Sequence, residues 1–227
     1  MTPAALYRLL AWLSPSYPIG AFSYSHGLEA AIEAGLVRDR ESLTAWTGGV
    51  LGHGTGRVDG ALFAAAWRAA QAGDDAALDG IADLAAAWRG TAEMALEQRQ
   101  QGASFLSITR TAWPDPRLDA FAVRRDGQCA LPVAVAMAAA WQDIALDPAL
   151  TGYLHAVAAN LCSAAVRAIP LGQSDGQRAL AALAAPVERA VAAALAAESL
   201  DDIGTASPLL DWCSMRHETQ YTRLFRS

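Results

Sequence analysis

LYRLLAWLSPSYPIGAFSYSHGLE, residues 6–29, contains a complete helix, its stop signal and the start of the next. Leu6, Leu9, Leu10 and Leu13 recur at three- and four-residue spacing, which places them on one helical face. Pro15, Pro18 and Gly20 prevent continuation, because proline lacks the backbone N–H and its ring clashes with the preceding turn. A second helix is expected near Ser23, where serine hydroxyls can cap its first N–H groups. The same stretch sets Ser23, Ser25, His26 and Glu29 close together in sequence. They read either as a nucleophile with its base or as a helix junction shaped for protein contact.

The remainder of the chain repeats this grammar. Alanine and leucine dominate between short breaks, β-branched alternation is scarce, and apolar residues recur every three or four positions. The fold class expected is all-α: one compact, bundle-like domain of about eight to ten helices, with boundaries good to roughly two to four residues. Ser42 or Thr44 caps a third helix running toward Ala70, and Asp74 and Asp75 open a fourth that ends near Gly102. GASFLSITRTAW reads as another short helix. Leu131 to Asp143, Pro148 to Ile169 and Ser174 to Ala197 complete the bundle, with LGQSDG between the last two. Gly48, Gly52, Gly56 and Gly60 recur at four-residue spacing in the third helix. They form either a stripe that lets another backbone approach or a break at GHGTG, since interior glycine costs about 1 kcal/mol relative to alanine.

After Ala197 the character changes. ESLDDIGTASP, residues 198–208, reads as a connector, and LLDWCSMRHETQYTRLFRS, residues 209–227, as a recognition tail. A helical tail would set His217, Tyr221 and Leu224 on one face and Arg216, Gln220 and Arg223 on another.

Composition narrows the function. The 227 residues are 53% hydrophobic, ample for a core, and carry a net charge of −6, which argues against broad binding to nucleic acid or anionic membranes. All 17 basic residues are arginine. Without lysine there is no P-loop lysine, Schiff base or lysine general base. Three widely spaced cysteines, Cys129, Cys162 and Cys213, form no disulfide framework and fit reduced thiols in the cytoplasm. The N-terminal residues do not read as a signal peptide, and the uncharged run from Pro148 to Val166 is broken by Thr151, His155, Asn160 and Ser163, so no membrane span is expected.

Neither catalysis nor metal binding is strongly encoded. A serine/histidine hydrolase would use His26, Glu29 and a serine, but no GxSxG elbow is present and triads usually assemble from distant segments. Cys213 and His217, four apart, offer a thiolate and an imidazole to zinc or nickel, yet two ligands do not close a site. No catalytic residue, metal site or cofactor is assigned.

Four segments together resemble the UreF family of urease accessory proteins: LLAWLSPSYPIGAFSYSHGLEAAIEAGLV at residues 9–37, RGTAEMALEQRQQGASFL at 89–106, NLCSAAVRAIPLGQSDGQRAL at 160–180, and SMRHETQYTRLFRS at 214–227. The resemblance spans essentially the whole chain. It implies an all-α homodimer, without catalysis of its own, that bridges the scaffold protein UreD (UreH) and the GTPase UreG in a complex that engages apo-urease for nickel insertion.

By position, the resemblance assigns Glu29 and Arg167, with Gln173 in the IPLGQ turn, to the partner-binding set, the first two on the surface associated with the GTPase. Family members carry lysine or arginine at the position of Arg167. It assigns Arg216, His217, Glu218, Tyr221, Arg223, Leu224, Phe225 and Arg226 to an element that orders on UreD and supports dimerisation. On this reading the tail folds on binding, and a chain cut after Pro208 keeps its helical core.

Overall fold

A computed structural model describes residues 1–227, except for the side chain at position 202. In chain order the helices are α1 (Pro3–Trp12), α2 (Leu28–Glu33), α3 (Arg40–His53), α4 (Thr55–Ala72), α5 (Asp75–Ala87) and α6 (Ala92–Ala112). They continue with α7 (Pro116–Arg124), α8 (Leu131–Trp141), α9 (Leu146–Ala168), α10 (Gln173–Ala182), α11 (Ala184–Ala196) and α12 (Pro208–His217). The fold is all-α, with no strand among the described residues.

Side-chain caps explain five of the starts. The side chains of Thr2, Asp39, Asp74, Thr91 and Asp115 accept hydrogen bonds from backbone N–H groups in the first turns of α1, α3, α5, α6 and α7. Asp39 and Ser42 complete a reciprocal box: Ser42 N–H donates to Asp39 at 2.8 Å, and Asp39 N–H donates to the Ser42 hydroxyl at 3.1 Å.

Several expected helices are divided. The third breaks at Gly54 into α3 and α4, settling the glycine question in favour of a break at GHGTG. Of the four spaced glycines two stand close to another helix: a Cβ on Gly56 would lie 2.6 Å from the Leu51 Cα of α3, at the break itself, and one on Gly60 would lie 2.9 Å from the Cβ of Ala194 on α11. The fourth expected helix breaks between Ala87 and Ala92, because Thr91 caps a new start, and GASFLSITRTAW becomes the second half of α6. A stop at Leu183 divides the Ser174–Ala197 helix into α10 and α11.

α8 lies at the centre. All its residues are buried, including Pro132, Met137 and Trp141, as expected for a helix apolar on every side. Against it pack α4, α6 and α9, and two indoles tie the packing to the backbone: Trp67 Nε1 donates to the carbonyl of Ile144 at 2.9 Å and Trp141 Nε1 to that of Ala70 at 3.1 Å. α9 is long and apolar enough to cross a bilayer, but half of that span is buried inside the bundle. α1 buries Ala5, Leu9 and Trp12, with Leu13 packed against the core, rather than all four leucines; Leu6 and Leu10 face outward. Trp12 decides this register by packing edge-on against Phe105 and Trp113.

The last 19 positions are anchored in the same core. Leu210, Cys213 and Phe225 join the central hydrophobic cluster, and α12 packs against α2 and α6. Here the structure differs from the expectation of a loosely packed tail: α12 ends at His217, and the chain beyond it lies in turns along the body. The helical-face pattern is lost with it, since His217 is buried while Tyr221 and Leu224 are exposed.

Candidate functional site: the junction of the C-terminal segment with the helical body

Gly27 makes this junction possible. It takes φ +75° at the start of α2, and a Cβ there would stand 3.2 Å from the Ser214 backbone nitrogen of α12. Both the left-handed conformation and the tight approach favour glycine. The next two residues place Glu29 on the first turn of α2, facing α12.

The buried imidazole of His217 fills the space between two carboxylates. Nδ1 lies 2.7 Å from Glu93 and Nε2 lies 3.1 Å from Glu29. Both carboxylates accept from the ring only when each nitrogen carries a proton. Arg223 donates to the other oxygen of Glu93 at 3.1 Å, so two acidic and two basic side chains form one cluster. Glu29 also accepts the backbone N–H groups of Leu224 at 2.7 Å and Phe225 at 2.9 Å. A single carboxylate thus holds both the end of α12 and the segment beyond it.

Phe225 is fixed from its other side by Arg167. The guanidinium carbon lies 4.5 Å from the ring centroid of Phe225 and 3.7 Å from that of Phe22, a cation held against two π-faces. Nε donates to the carbonyl of Ser163, and burial lowers the pKa of the group. Its planar guanidinium suits stacking in a way a lysine ammonium does not. Arg226 similarly lies over Tyr24, with its centre 5.6 Å from the ring.

The final residues pair with the 23–25 loop. Arg226 N–H donates to the carbonyl of Ser23 at 2.8 Å, and Ser25 N–H to that of Ser227 at 3.0 Å. The Ser25 hydroxyl also donates to the Ser227 carbonyl and accepts the Glu29 N–H at 3.2 Å. Ser227 Oγ donates to Glu97 at 2.7 Å, and Glu97 in turn meets His26 Nδ1 at 3.2 Å. Nε2 of His26 lies 2.6 Å from Thr55 Oγ1. Burial alone would raise the Glu97 pKa; the charge and hydrogen bond of His26, with Ser227 and Arg89, more than offset it and leave the pKa lowered. Beyond this pair lies a cavity of about 360 Å³, into whose lining Trp12 and Gln98 bring a buried indole N–H and amide oxygen without protein partners. Such polar walls suit ordered water.

This geometry assigns structural work to the residues that resembled a reaction centre. The Ser25 hydroxyl is spent on backbone groups, and both nitrogens of His26 have partners other than a serine nucleophile. Cys213 and His217 do not form an open ligand pair either, because both ring nitrogens of His217 face glutamates. Burial pushes the Cys213 thiol up to about 11.

Of the residues expected to meet partners, Glu29, Arg167, His217, Arg223, Leu224 and Phe225 come together here. Arg216, Glu218 and Tyr221 are exposed on the same segment, with Tyr221 fully so, and Arg226 is exposed beside Tyr24. Gln173 stands apart as the exposed first residue of α10. Sequence reading missed Glu93, Glu97 and Gln101, which recur every four residues on α6 and are all buried. That spacing, in a row that continues to the buried Phe105, was the available signal.

Residues 37–184 match the UreF family model, which is more than half of the chain. The chain belongs to the UreF family. Relatives named urease accessory protein UreF cover 99% of this chain. That of Granulibacter bethesdensis is 58% identical over 224 residues, covering 94% of its own length. Those of Rhodopseudomonas palustris and Xanthobacter autotrophicus are 50% and 51% identical, covering 94% and 92% of theirs. The family model stops short of both Glu29 and the C-terminal segment, whereas these UreF relatives align across nearly all of the chain.

Proposed function

We propose that this UreF-family chain is a non-catalytic assembly factor for urease, acting in the cytoplasm as a homodimer that bridges the scaffold UreD (UreH) and the GTPase UreG. The resulting complex engages apo-urease for nickel insertion. The observation that carries the reading is the convergence of Glu29 and Arg167 on one dipeptide, Leu224–Phe225, of the C-terminal segment. Two residue sets that the family resemblance gives to different partners are here in direct contact.

The scaffold-binding face is the outer side of α12 together with the C-terminal turns. Leu209, Trp212 and Met215 recur every three residues with about half of each side chain exposed, and Tyr221 and Leu224 extend the patch. Arg216 and Arg226 are exposed on the same segment. Aromatic, methionine and arginine side chains are the types enriched at interfaces. Glu29 and Arg167 act from beneath by fixing the segment's path. The protein biases the GTPase only through different affinities for its nucleotide states, the one thermodynamic route open to a binding partner.

The test is co-purification of the intact chain with UreD, UreG and apo-urease, compared with a Trp212→Ala, Met215→Ser variant. Loss of UreD with unchanged helix content is the expected result. A variant that recovers UreD at full yield would remove α12 from the interface. Intact chain that recruits neither partner would overturn the bridging role.

A further inference from the structure

A cleft on another face of the molecule is lined by basic side chains that the junction does not use. It lies between α3, α4 and α11 and is closed at one end by the connector. Gly48, Leu51, Gly52, Ala61, Ala190 and Ala194 make a small-residue, apolar floor, while His53, Arg57 and Arg189 bring three basic side chains to the lining. The volume is about 340 Å³, within the roughly 300–1,000 Å³ of typical ligand sites.

The helices themselves create the space. α4 and α11 approach closely at Gly60 and Ala194, whereas a Cβ on Gly52 would meet nothing within 4 Å. The break at Gly54 turns α4 away from α3 just where His53 and Arg57 project.

Two of the arginines unpaired among the described residues, Arg57 and Arg189, meet in this cleft, whereas the others, Arg8, Arg99 and Arg216, lie outside its lining. In a chain with 23 acidic and 17 basic residues, most arginines meet a carboxylate, a carbonyl or an aromatic ring. Among the described residues Arg57 and Arg189 have no such partner, and no carboxylate lines the cleft. Glu198 and Asp201, beside the lining residues Ala197 and Ser199 in sequence, are exposed on the connector. Two guanidinium groups above an apolar floor suit a ligand that carries carboxylates on either side of a small aliphatic group, each carboxylate able to take a forked pair of N–H bonds.

We infer that this cleft is a second docking site, taking an acidic peptide segment of a partner protein with an aliphatic side chain seated on the glycine–alanine floor. It is separate from the α12 face and does not depend on the identity of the partner bound there.

The inference is tested on the intact chain alone by titrating the capped tripeptide glutamyl-leucyl-glutamate, its neutral glutaminyl-leucyl-glutamine counterpart, and inorganic phosphate. The acidic peptide should bind, weaken with added salt, and weaken at least about tenfold in an Arg57→Gln, Arg189→Gln variant. Both positions are exposed, so the variant should keep the wild-type unfolding midpoint; a Glu188→Gln variant controls for an unrelated charge change on α11. Equal binding of the neutral peptide, equal binding by the double variant, or phosphate bound as tightly as the acidic peptide would each overturn the assignment.

Discussion

Glu29 accepts the backbone N–H of Phe225 at 2.9 Å, across 196 positions of sequence. The same carboxylate accepts from Leu224 and meets His217, so its removal leaves two backbone N–H groups and the Nε2 of a buried imidazole without their acceptor. A Glu29→Ala variant should lose about 3 kcal/mol or more, since hydrogen bonds to charged groups contribute roughly 1.5–3 kcal/mol each. Urea unfolding gives the magnitude, and hydrogen exchange at Leu224 and Phe225 locates it. Unchanged exchange at those two amides would show that Glu29 does not hold the segment.

Arg167 offers a separate test because its contribution is planar. Alanine there should lose about 0.5–2 kcal/mol, the range for a cation on an aromatic face. Lysine should recover only part of the loss, since an ammonium cannot lie flat between Phe22 and Phe225. Equal stability of the lysine variant and the parent would mean that charge alone suffices.

Acid should loosen the junction through Glu97. Its folded-state pKa is lowered, so its contribution is present above the unfolded carboxylate pKa and is lost as pH falls through the folded value. A Glu97→Gln variant should start less stable at neutral pH and show a shallower loss from pH 6 to about pH 3. Parallel pH profiles for variant and parent would exclude Glu97 as a source of the acid sensitivity.

The cysteines should be silent in the native protein. Burial pushes the Cys129 thiol up to about 12 and those of Cys162 and Cys213 up to about 11. At pH 8 the thiolate fraction of each is on the order of one in a thousand or less. Iodoacetamide should label all three only after denaturation, as read by mass spectrometry; fast native labelling of Cys213 would show that α12 opens readily.

Cutting the chain after Pro208 should destabilise the body, in contrast to the behaviour expected from sequence. The cut removes the partners of Glu29, Glu93 and Glu97 together with the buried side chains of Leu210, Cys213 and Phe225. A lowered thermal midpoint for the truncated chain is the expected outcome, and an unchanged midpoint would show the segment to be an independent appendage.

The all-α fold was legible in the sequence because helix periodicity and capping are local: Asp39 with Ser42, or Thr91 before Met94, can be read without any distant residue. The breaks at Gly54 and Leu183 were harder: the spaced glycines around Gly54 fit a packed stripe as well as a break, and an alanine-rich run continues on both sides of Leu183. Glu29 and Arg167 were legible by resemblance, but their contacts were not. Each meets its partner across a long stretch of chain, and nothing local tells a glutamate displayed to solvent from one that caps distant backbone. The buried row of Glu93, Glu97 and Gln101 was overlooked for the same reason, since polar residues on a helix normally mark its wet face.

The order of translation gives the junction one further consequence. Chains are made from the N-terminus at about 5–20 residues per second, so the body is synthesised before His217, Phe225 and Ser227 exist. During that interval Glu29 and Glu93 lack His217, and Glu97 lacks Ser227. A nascent chain that lacks residues 217–227 should therefore be more open to proteolysis than one in which that segment has closed the junction.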